Sequence, residues 1–425
     1  MARDSLYPVS VKAGKPILGM LPTGWQKLSL EKCLNIEARK AYIQDNQEYD
    51  LVTVKRSRGG VIRREHLKGK DISVKSQFYI KEGDFLISKR QIVHGACGLV
   101  PKELSGSIVS NEYCVLTGKS GFYLPYMEFL SESLYFQQTC FHSSIGVHIE
   151  KMIFKLDSWF KWPFNIPPLS EQKRIVKILS TWDKAISVTE KLLANSQQQK
   201  KALMQQLVTG KKRLLDENGV RFSGEWCTCT LSEVAHIIMG SSPKSEAYND
   251  NGLGLPLIQG NADIKCRVSC PRVYTSDITK ECTPGDILLS VRAPVGTVAL
   301  SQHKACIGRG ISAIKSKRKM SQSFLYQWFL WFEPKWCYLS QGSTFESINS
   351  DDIKTLKLSV PNFEEQQKIA AVLSAADVEI STLEKKLACL KDEKKALMQQ
   401  LLTGKRRVKV DEAVAAALLN KSNFC

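Results

Sequence analysis

The densest group of chemically capable side chains is the basic run at positions 55–64, Lys-Arg-Ser-Arg-Gly-Gly-Val-Ile-Arg-Arg. Arginine and lysine bind phosphate oxygens, and the interleaved glycines would let the backbone approach a phosphate closely. The alternative is a solvated surface loop of a basic protein. The chain carries 60 Lys and Arg against 42 Asp and Glu, a formal charge of +18. That excess favours a polyanionic partner, and hence contact between this run and a nucleic acid.

Three patterns resemble enzyme motifs, but each is incomplete. Residues 118–120 resemble the end of a phosphate-binding loop, although Tyr113 occupies the position of its first glycine. Residues 165–168, Asn-Ile-Pro-Pro, resemble an amino-methyltransferase signature with one residue inserted, and 384–386 resemble the end of a nuclease motif. The sequence therefore predicts a chain without catalytic activity.

The cysteines and the N-terminus bear on metal binding and on compartment. Cys227, Cys229, Cys266 and Cys270 could form a four-thiolate zinc site, but their spacing is irregular and buried reduced cysteine is the favoured alternative. We therefore predict no bound metal. Thirteen cysteines without a repeating framework and no apolar leader segment predict a cytoplasmic protein with reduced thiols.

An internal repeat organises the sequence. Residues 166–214 align without a gap to 360–408, with about half the positions identical. Each copy begins near a Pro and a Glu-Gln pair, and each ends in Thr-Gly, where glycine can form the left-handed turn that terminates a helix. In the second copy, Asn362 and Glu365 also predict a capping box.

Each copy has apolar residues at alternating spacings of four and three, over more than four heptads, which predicts a long coiled-coil helix. Two separate helices packed into separate globular cores are the alternative. The predicted seam consists of Ile175, Leu179, Trp182, Ile186, Leu193, Lys200, Leu203 and Leu207 in the first copy and Ile369, Leu373, Ala376, Ile380, Leu383, Leu387, Leu390, Lys394, Leu397 and Leu401 in the second.

The length of the intervening domain predicts the direction of the helices. A helix of about 40 residues is roughly 60 Å long, whereas the intervening domain should be under roughly 40 Å wide. Parallel helices would require that domain to bridge a gap wider than itself, so we expect antiparallel helices with a domain at each end. The simplest register places Lys200 opposite Ala376 and Trp182 opposite Lys394.

The two remaining segments share landmarks. Gly83-Asp-Phe-Leu-Ile-Ser-Lys-Arg90 matches Gly285-Asp-Ile-Leu-Leu-Ser-Val-Arg292, a turn followed by a β-strand. We predict an α+β protein, with two mixed domains built on β-sheets, separated by an antiparallel two-helix coiled coil in a pseudo-two-fold arrangement. The predicted divisions are a first recognition domain (1–163), a first spacer helix (164–214), a second recognition domain (215–357), a second spacer helix (358–408) and an Ala-rich tail (409–425).

This layout resembles the specificity subunit of type I restriction–modification enzymes, over essentially residues 20–408. The supporting motifs are Pro167-Pro-Leu-Ser-Glu-Gln172, Pro361-Asn-Phe-Glu-Glu-Gln366, the repeated Lys-Lys-Ala-Leu-Met-Gln-Gln-Leu and Gly342-Ser-Thr-Phe345. Residues 58–64 and 87–96 resemble one class of target recognition domain.

The resemblance implies that each variable domain reads one half of a split, asymmetric DNA target. It also implies two methyltransferase subunits docked on the helices and motor-endonuclease subunits outside them, with AdoMet, ATP and Mg²⁺ bound by those partners. Bidentate arginine and Asn or Gln side chains are the usual base readers. We predict DNA contacts from Lys55, Arg56, Arg58, Arg63, Arg64, Lys89, Arg90, Gln91 and His94 in the first domain and from Lys244, Gln259, Asn261, Arg292, Ser343 and Thr344 in the second.

Three alternatives remain open at this stage. Arg90 and Arg292 occupy matched positions and could instead form structural ion pairs with Asp84 and Asp286. The whole chain could be a transcription regulator that binds two half-sites without an enzyme partner, or a coiled-coil adaptor between proteins. The two unlike domains argue against a regulator, and the net charge argues against an adaptor.

Overall fold

The computed structural model describes residues 14–336 and 347–408. The chain divides into two compact units, unit 1 comprising residues 1–188 with 387–425 and unit 2 comprising 189–386. Each unit therefore contains one sheet-based domain, the first half of one long helix and the second half of the other. Within the described ranges, no helix has the length and apolar composition needed to cross a membrane.

Unit 1 is built on a four-stranded sheet in the order β2-β10-β7-β8 and a five-stranded sheet in the order β3-β6-β9-β4-β5, with two small sheets, β1-β13 and β11-β12. Its strands are β1 (Gln26–Ser29), β2 (Leu34–Glu37), β3 (Lys40–Ala41), β4 (Glu48–Val54), β5 (Val61–Lys68), β6 (Gln77–Tyr79), β7 (Phe85–Ser88), β8 (Cys97–Leu99), β9 (Ile108–Ser110), β10 (Tyr113–Gly118), β11 (Ser144–Ile145), β12 (Ile153–Phe154) and β13 (Pro163–Ile166). Its short helices are α1 (Tyr126–Leu130), α2 (Leu134–His142) and α3 (Leu156–Phe160).

Unit 2 contains a six-stranded sheet in the order β15-β25-β22-β23-β19-β18, a five-stranded sheet in the order β16-β20-β17-β24-β21 and the pair β14-β26. Its strands are β14 (Cys227–Thr230), β15 (Ala235–Met239), β16 (Tyr248–Asn249), β17 (Leu255–Ile258), β18 (Ile264–Lys265), β19 (Val268–Ser269), β20 (Val273–Thr275), β21 (Glu281–Cys282), β22 (Ile287–Ser290), β23 (Val298–Leu300), β24 (Ala305–Ile307), β25 (Ile311–Ser316) and β26 (Lys357–Val360). The long helix α4 (Leu169–Leu207) precedes these strands along the chain, α5 (Leu231–Val234), α6 (Gln322–Phe332) and α7 (Ser350–Lys354) lie among them, and the long helix α8 (Phe363–Leu402) follows.

The same strand topology occurs in both units. The order β2-β10-β7-β8 in unit 1 corresponds to β15-β25-β22-β23 in unit 2, and β6-β9-β4-β5 corresponds to β21-β24-β17-β20. The five-stranded sheet of each unit, called the second sheet below, contains one parallel pair among antiparallel ones. The pair is β4 with β9 in unit 1 and β17 with β24 in unit 2. The matched landmarks in the sequence therefore reflect one β-sheet plan that is used twice.

The central strands β7 and β22 are buried on both faces, which explains their continuous apolar sequences. Phe85 and Ile87 face one core of unit 1, whereas Leu86 faces the core beneath the second sheet. In unit 2, Ile287 and Leu289 face one core, and Leu288 faces the other. Successive side chains of a strand point to opposite faces, so each strand joins two hydrophobic cores.

The two long helices have the predicted ends. Gly210 and Gly404 have φ of +71° and +67°, the left-handed conformation predicted from the Thr-Gly pairs. The predicted capping box is only half correct. The side chain of Asn362 accepts the Glu365 N–H at 2.9 Å, but the Glu365 carboxylate binds Arg213 instead of the cap. The antiparallel α+β architecture predicted from the sequence is confirmed within each unit.

The seam residues lie on the less exposed side of both helices. Ile175, Leu179 and Leu207 of α4 are fully buried, as are Ile369 and Leu373 of α8. The remaining predicted seam residues are half-buried, apart from the buried Leu401. The helices therefore pack into globular cores near their ends and form a more open two-helix contact along their middle.

Matched lysine–aspartate pairs fix the register within each unit. In unit 1 Lys394 Nζ lies 2.6 Å from an Asp183 carboxylate oxygen and above the ring of Phe129, 5.6 Å from its centroid. In unit 2 Lys200 donates to Asp377. The simplest register places Lys394 opposite Trp182 and Lys200 opposite Ala376. Each lysine therefore binds the next residue along the facing helix, Asp183 or Asp377.

A buried carboxylate joins each helix start to the segment that follows the end of the other helix. In unit 1 Glu171, 3% exposed, accepts hydrogen bonds from Arg407 at 2.8 and 2.9 Å and from the Trp25 indole at 3.0 Å. In unit 2 the fully buried Glu365 accepts two hydrogen bonds from Arg213, at 2.6 and 2.7 Å. Each arginine also lies 5.9 Å from the ring of a tryptophan, Trp25 or Trp226.

The glutamine that follows each of these glutamates attaches the same helix start to the neighbouring sheet domain. Gln172 Oε1 accepts the Tyr123 N–H at 2.7 Å, and Gln366 Oε1 accepts the Ser321 N–H at 2.8 Å. The other side-chain atom, Nε2, donates in each case to the carbonyl of the preceding Pro167 or Pro361. The Glu-Gln pair recognised in the sequence is therefore a structural anchor.

We predict that Arg213→Met lowers the free energy of unfolding by about 3 kcal/mol, because it leaves the buried Glu365 carboxylate without its cation. Arg221→Met is the matched control, since it removes the same charge from an exposed side chain. Urea unfolding followed by tryptophan fluorescence gives both values. Equal unfolding midpoints for the two variants would show that the Glu365 pair does not stabilise the fold.

Candidate nucleic-acid interface

In unit 1 the basic run forms the β4–β5 hairpin loop and is attached to the loop that follows β7. The Ser57 N–H donates to the His94 carbonyl at 2.7 Å, and the Arg58 N–H donates to the Gly95 carbonyl at 2.8 Å. Ser57 and Arg58 have φ of +56° and +53°, a left-handed conformation that costs non-glycine residues roughly 1 kcal/mol or more. The two hydrogen bonds to the neighbouring loop stabilise this conformation, so the sheet edge presents the arginines on a defined backbone.

Arg56 lies at the centre of a small polar network. Its Nε donates to Gln91 at 2.6 Å and a terminal nitrogen donates to Glu150 at 2.6 Å. The hydrogen bond from Arg56 and the charge of His94 lower the pKa of Glu150. His94 is buried beneath this network, with Nε2 3.2 Å from Glu150. His94 is therefore placed to support the surface rather than to reach a ligand itself.

The strand end at β7 places two more predicted cations at this edge. Lys89 Nζ donates to the Asn111 carbonyl at 2.6 Å. Arg90 forms two hydrogen bonds with Glu112, at 2.6 and 3.3 Å, which raise the pKa of its guanidinium. The alternative that Arg90 pairs with Asp84 is wrong, because Asp84 is held by Arg39 at 2.6 Å. Arg90 does form an ion pair, but its partner is Glu112 in the turn before β10.

Arg63 and Arg64 lie on β5, the edge strand of the second sheet. Arg63 pairs with Asp50 at 2.9 Å, and Arg64 lies 3.4 Å from Glu65. The neighbouring His66 is bonded to Asp50 and Glu48, and these carboxylates raise its pKa. The basic run thus divides into a loop part, Lys55–Gly60, and a strand part on β5.

In unit 1 Arg56, Arg63, Arg64 and Arg90 each have a carboxylate partner, and the guanidinium of Arg58 binds the Ser131 carbonyl at 3.3 Å. Most of these carboxylates are solvent-exposed, and exposed ion pairs contribute only about 0–1 kcal/mol. A phosphate or a guanine edge can therefore replace them at low cost. In the free protein, the carboxylates hold the guanidinium groups in place.

In unit 2 the corresponding edge carries several of the predicted polar residues. Gln259 and Asn261 follow the end of β17, and the Gln259 N–H donates to Asp263 at 2.9 Å. Arg292 follows β22 and is exposed. Asp286, its suggested ion-pair partner, instead accepts the Thr283 N–H at 2.7 Å. Lys244 is exposed as well, and its backbone N–H binds Asp277.

The structure adds Arg309, which the sequence analysis missed. The tight turn Gly308-Arg309-Gly310 packs against Gln259, and a Cβ on Gly310 would lie 2.3 Å from the Gln259 carbonyl oxygen. The Gly308 N–H donates to Ile258 at 2.9 Å, and the Gly310 carbonyl accepts the Val291 N–H at 2.9 Å. Arg309 is the only side chain of this turn and is exposed beside the ends of β17 and β22. The Gly-Arg-Gly sequence was the available signal.

Corresponding turns of the two edges differ in charge, although the charged residues stand at different positions within them. The turn before β10 carries Glu112, which binds Arg90, whereas the turn before β25 carries Arg309. The edges therefore share a backbone plan but present different side chains. Ser343 and Thr344, also predicted as DNA contacts, lie outside the described residues.

Cys227, Cys229, Cys266 and Cys270, considered above as a four-thiolate zinc site, are not grouped around a common point in the described structure. No group of three or more His, Cys, Asp or Glu residues in 14–336 and 347–408 is placed to hold a metal ion. Burial raises the pKa of Cys33 to about 11 and that of Cys97 to about 12, so these thiols stay protonated and poorly nucleophilic at neutral pH.

Known proteins of one kind resemble this chain in sequence. The putative type I restriction enzyme MjaX specificity subunit of Methanocaldococcus jannaschii is 39% identical over 253 residues, which cover 57% of this chain and 59% of the relative. The match thus spans less than two thirds of that relative's length. The MjaVIII specificity subunit of the same organism is 29% identical over 312 residues, 68% of this chain and 70% of the relative.

Solved structures show the same architecture. The crystal structure of the HsdS subunit from Thermoanaerobacter tengcongensis has 26% sequence identity and a TM-score of 0.52, covering 91% of this chain and 99% of that one. The S subunit of a type I restriction-modification system from M. genitalium has 13% identity and a TM-score of 0.59, covering 93% and 100%, and supports the fold alone.

The family model for the type I restriction modification DNA specificity domain matches twice, over residues 22–195 and 223–391. Each match contains one of the two sheet domains and extends into the long helix that follows it. The chain therefore belongs to the type I restriction–modification DNA specificity family.

Proposed function

We propose that this chain is the non-catalytic, sequence-specific DNA-binding subunit of a type I restriction–modification complex. It recognises a bipartite, asymmetric target, with one half read by each sheet domain. The observation that carries the proposal is the repetition of one sheet edge with different side chains, Arg56, Arg58 and Arg90 in unit 1 and Gln259, Arg292 and Arg309 in unit 2. Arginine and glutamine can read base edges by paired hydrogen bonds, so unlike edges select unlike half-targets.

The proposed partners are double-stranded DNA, two methyltransferase subunits and motor-endonuclease subunits. AdoMet, ATP and Mg²⁺ belong to those partner subunits in this scheme, and the complex acts in the cytoplasm. The long helices offer the methyltransferase a surface, because α4 and α8 have largely exposed polar faces along their middle. Family membership supports this assembly over a two-headed regulator without enzyme partners.

Co-purification followed by methylation mapping tests the proposal. The tagged chain should retain an AdoMet-dependent methyltransferase, and a genome carrying both genes should be methylated at a split, asymmetric sequence. Sequence-specific DNA binding without a methyltransferase partner would favour the regulator, and the absence of any specific binding would overturn both proposals.

We predict that Arg56→Ala with Arg58→Ala weakens cognate DNA binding by the assembled complex at least tenfold, since each arginine that binds DNA contributes about 1–3 kcal/mol. The slope of log affinity against log salt should become shallower by about one for each phosphate that the variant no longer binds. Fluorescence anisotropy over a salt series measures both quantities. Lys70→Ala, an exposed lysine of the same unit, is the control; equal behaviour of the two variants would remove the loop from the interface.

Arg309→Ala should change the reading of the second half-target alone. If Arg309 binds a base edge, its removal relaxes selectivity at one position by about 1–3 kcal/mol without changing the first half. Methylation mapping of the variant complex gives the altered sequence, with the exposed Arg318→Ala as the control. An unchanged target would show that Arg309 does not read bases.

We further propose that the paired helices set the gap between the half-targets. One heptad inserted in each helix, near Leu193 and Leu383, preserves the seam and adds about 10 Å. At about 3.4 Å per base pair, the gap should widen by up to roughly three base pairs with both halves unchanged. Methylation mapping of the doubly extended variant measures the gap, and a heptad in one helix alone should impair assembly. Methylation at the original spacing would show that the helices do not set the gap.

A further inference from the structure

The hairpin of β11 and β12 in unit 1 has an unusually exposed apolar tip. Ile145 is 67% exposed and Val147 is 96% exposed, whereas Met152 and Phe154 on the returning strand are buried in the core. One end of the hairpin is thus anchored, while two β-branched side chains project into solvent. The two side chains lie two residues apart on one projecting tip, so they can contact a partner together.

Three contacts attach this hairpin to the proposed DNA-reading edge. The Phe154 N–H donates to the Lys89 carbonyl at 2.8 Å, directly beside Arg90. Glu150, in the hairpin, binds Arg56 at 2.6 Å and lies 3.2 Å from His94. The hairpin that carries the apolar tip is therefore joined directly to the loops that carry the predicted DNA contacts.

The backbone of the hairpin is held in a defined shape. Gly146 has φ of +157°, and a Cβ at this position would lie 2.9 Å from the Met152 Cα, so only glycine allows the two strands to approach so closely. The Lys151 N–H donates to the His148 carbonyl at 2.8 Å, and the Lys155 N–H donates to Ser143 at 2.8 Å. A preformed tip loses little conformational entropy when it inserts into a groove.

The charges around the tip suit DNA better than an apolar protein surface. Lys151, Lys155 and His148 are exposed on or beside the hairpin, and the acidic Glu150 is already paired with Arg56. Lysines flanking an apolar tip can bind the phosphates on either side of a groove while the aliphatic groups touch bases. Aliphatic side chains bind the 5-methyl group of thymine or insert between base steps.

We propose that the Ser144–Phe154 hairpin inserts Ile145 and Val147 among the bases of the first half-target, as a specificity determinant separate from the arginines. The inference rests on the proposed DNA-reading function. A matching backbone contact in unit 2 joins the Ile348 N–H to the Val291 carbonyl at 2.9 Å. The residue after β7 in unit 1 and the residue after β22 in unit 2 therefore accept the same kind of backbone hydrogen bond.

The test uses the full chain in complex with its co-purified methyltransferase, and the target found by methylation mapping. Three duplexes are compared by anisotropy: the cognate, one with only the first half-target scrambled and one with only the second scrambled. Ile145→Ala with Val147→Ala should weaken cognate binding about tenfold and reduce discrimination against the first scrambled half. Discrimination against the second scrambled half should not change, because the hairpin belongs to unit 1. The salt dependence should not change either, because both substituted side chains are uncharged.

Val220→Ala, an exposed valine in a turn of unit 2, is the matched control and should leave all three affinities unchanged. If the tip variant behaves like this control while Arg56→Ala with Arg58→Ala still weakens cognate binding, the hairpin inference is wrong and the DNA-reading function stands. If the tip variant loses its methyltransferase while the free chain binds DNA as before, the tip contacts protein and the inference is also wrong. A wild-type complex without half-target discrimination would overturn the proposed function itself.

Discussion

The bidentate pairing of a buried glutamate with an arginine is the interaction on which the rest of each unit depends. Glu171 and Glu365 are almost completely buried at the first turns of the long helices, and a buried carboxylate is costly unless a cation pairs with it. Its cation, Arg407 or Arg213, follows the end of the other long helix. The pair brings the start of one helix to the end of the other, so it requires antiparallel helices in each unit.

The anchor also connects the helices to the sheet domains. Gln172 and Gln366, next to the glutamates, bind backbone groups of the loops that follow β10 and β25. These strands lie inside their sheets. The loops bound by the glutamines follow the ends of the strands, and the proposed reading edge lies at their starts. A helix start fixed on one side of a rigid sheet thereby helps to determine where the loops on the other side lie.

The two reading edges show how one scaffold can present different chemistry. The strand order, the parallel pair and the backbone contact after β7 or β22 are the same in both units, because they depend on alternating burial and hydrogen bonding rather than on particular side chains. The turns between strands carry no such constraint. Glu112 restrains Arg90 in unit 1, whereas Arg309 adds a second cation near Arg292 in unit 2. Differences of this kind can change the bases read without disturbing the core.

The sequence alone determined the features that repeat with a period. The heptads and the near-identical helix ends predicted two long helices, and the matched Gly-Asp-apolar strands predicted related sheet domains, because helix and strand periodicities are local properties of a chain. The tertiary structure decided which charged groups meet. Asp84 binds Arg39, Arg90 binds Glu112, Glu365 leaves its predicted cap for Arg213, and Arg56 reaches Glu150, which is 94 residues away. It also placed Arg309 beside Gln259 and left Val147 exposed in the hairpin whose Glu150 binds Arg56. Such pairings depend on long-range packing of loops with no periodic pattern, so only the folded chain specifies them.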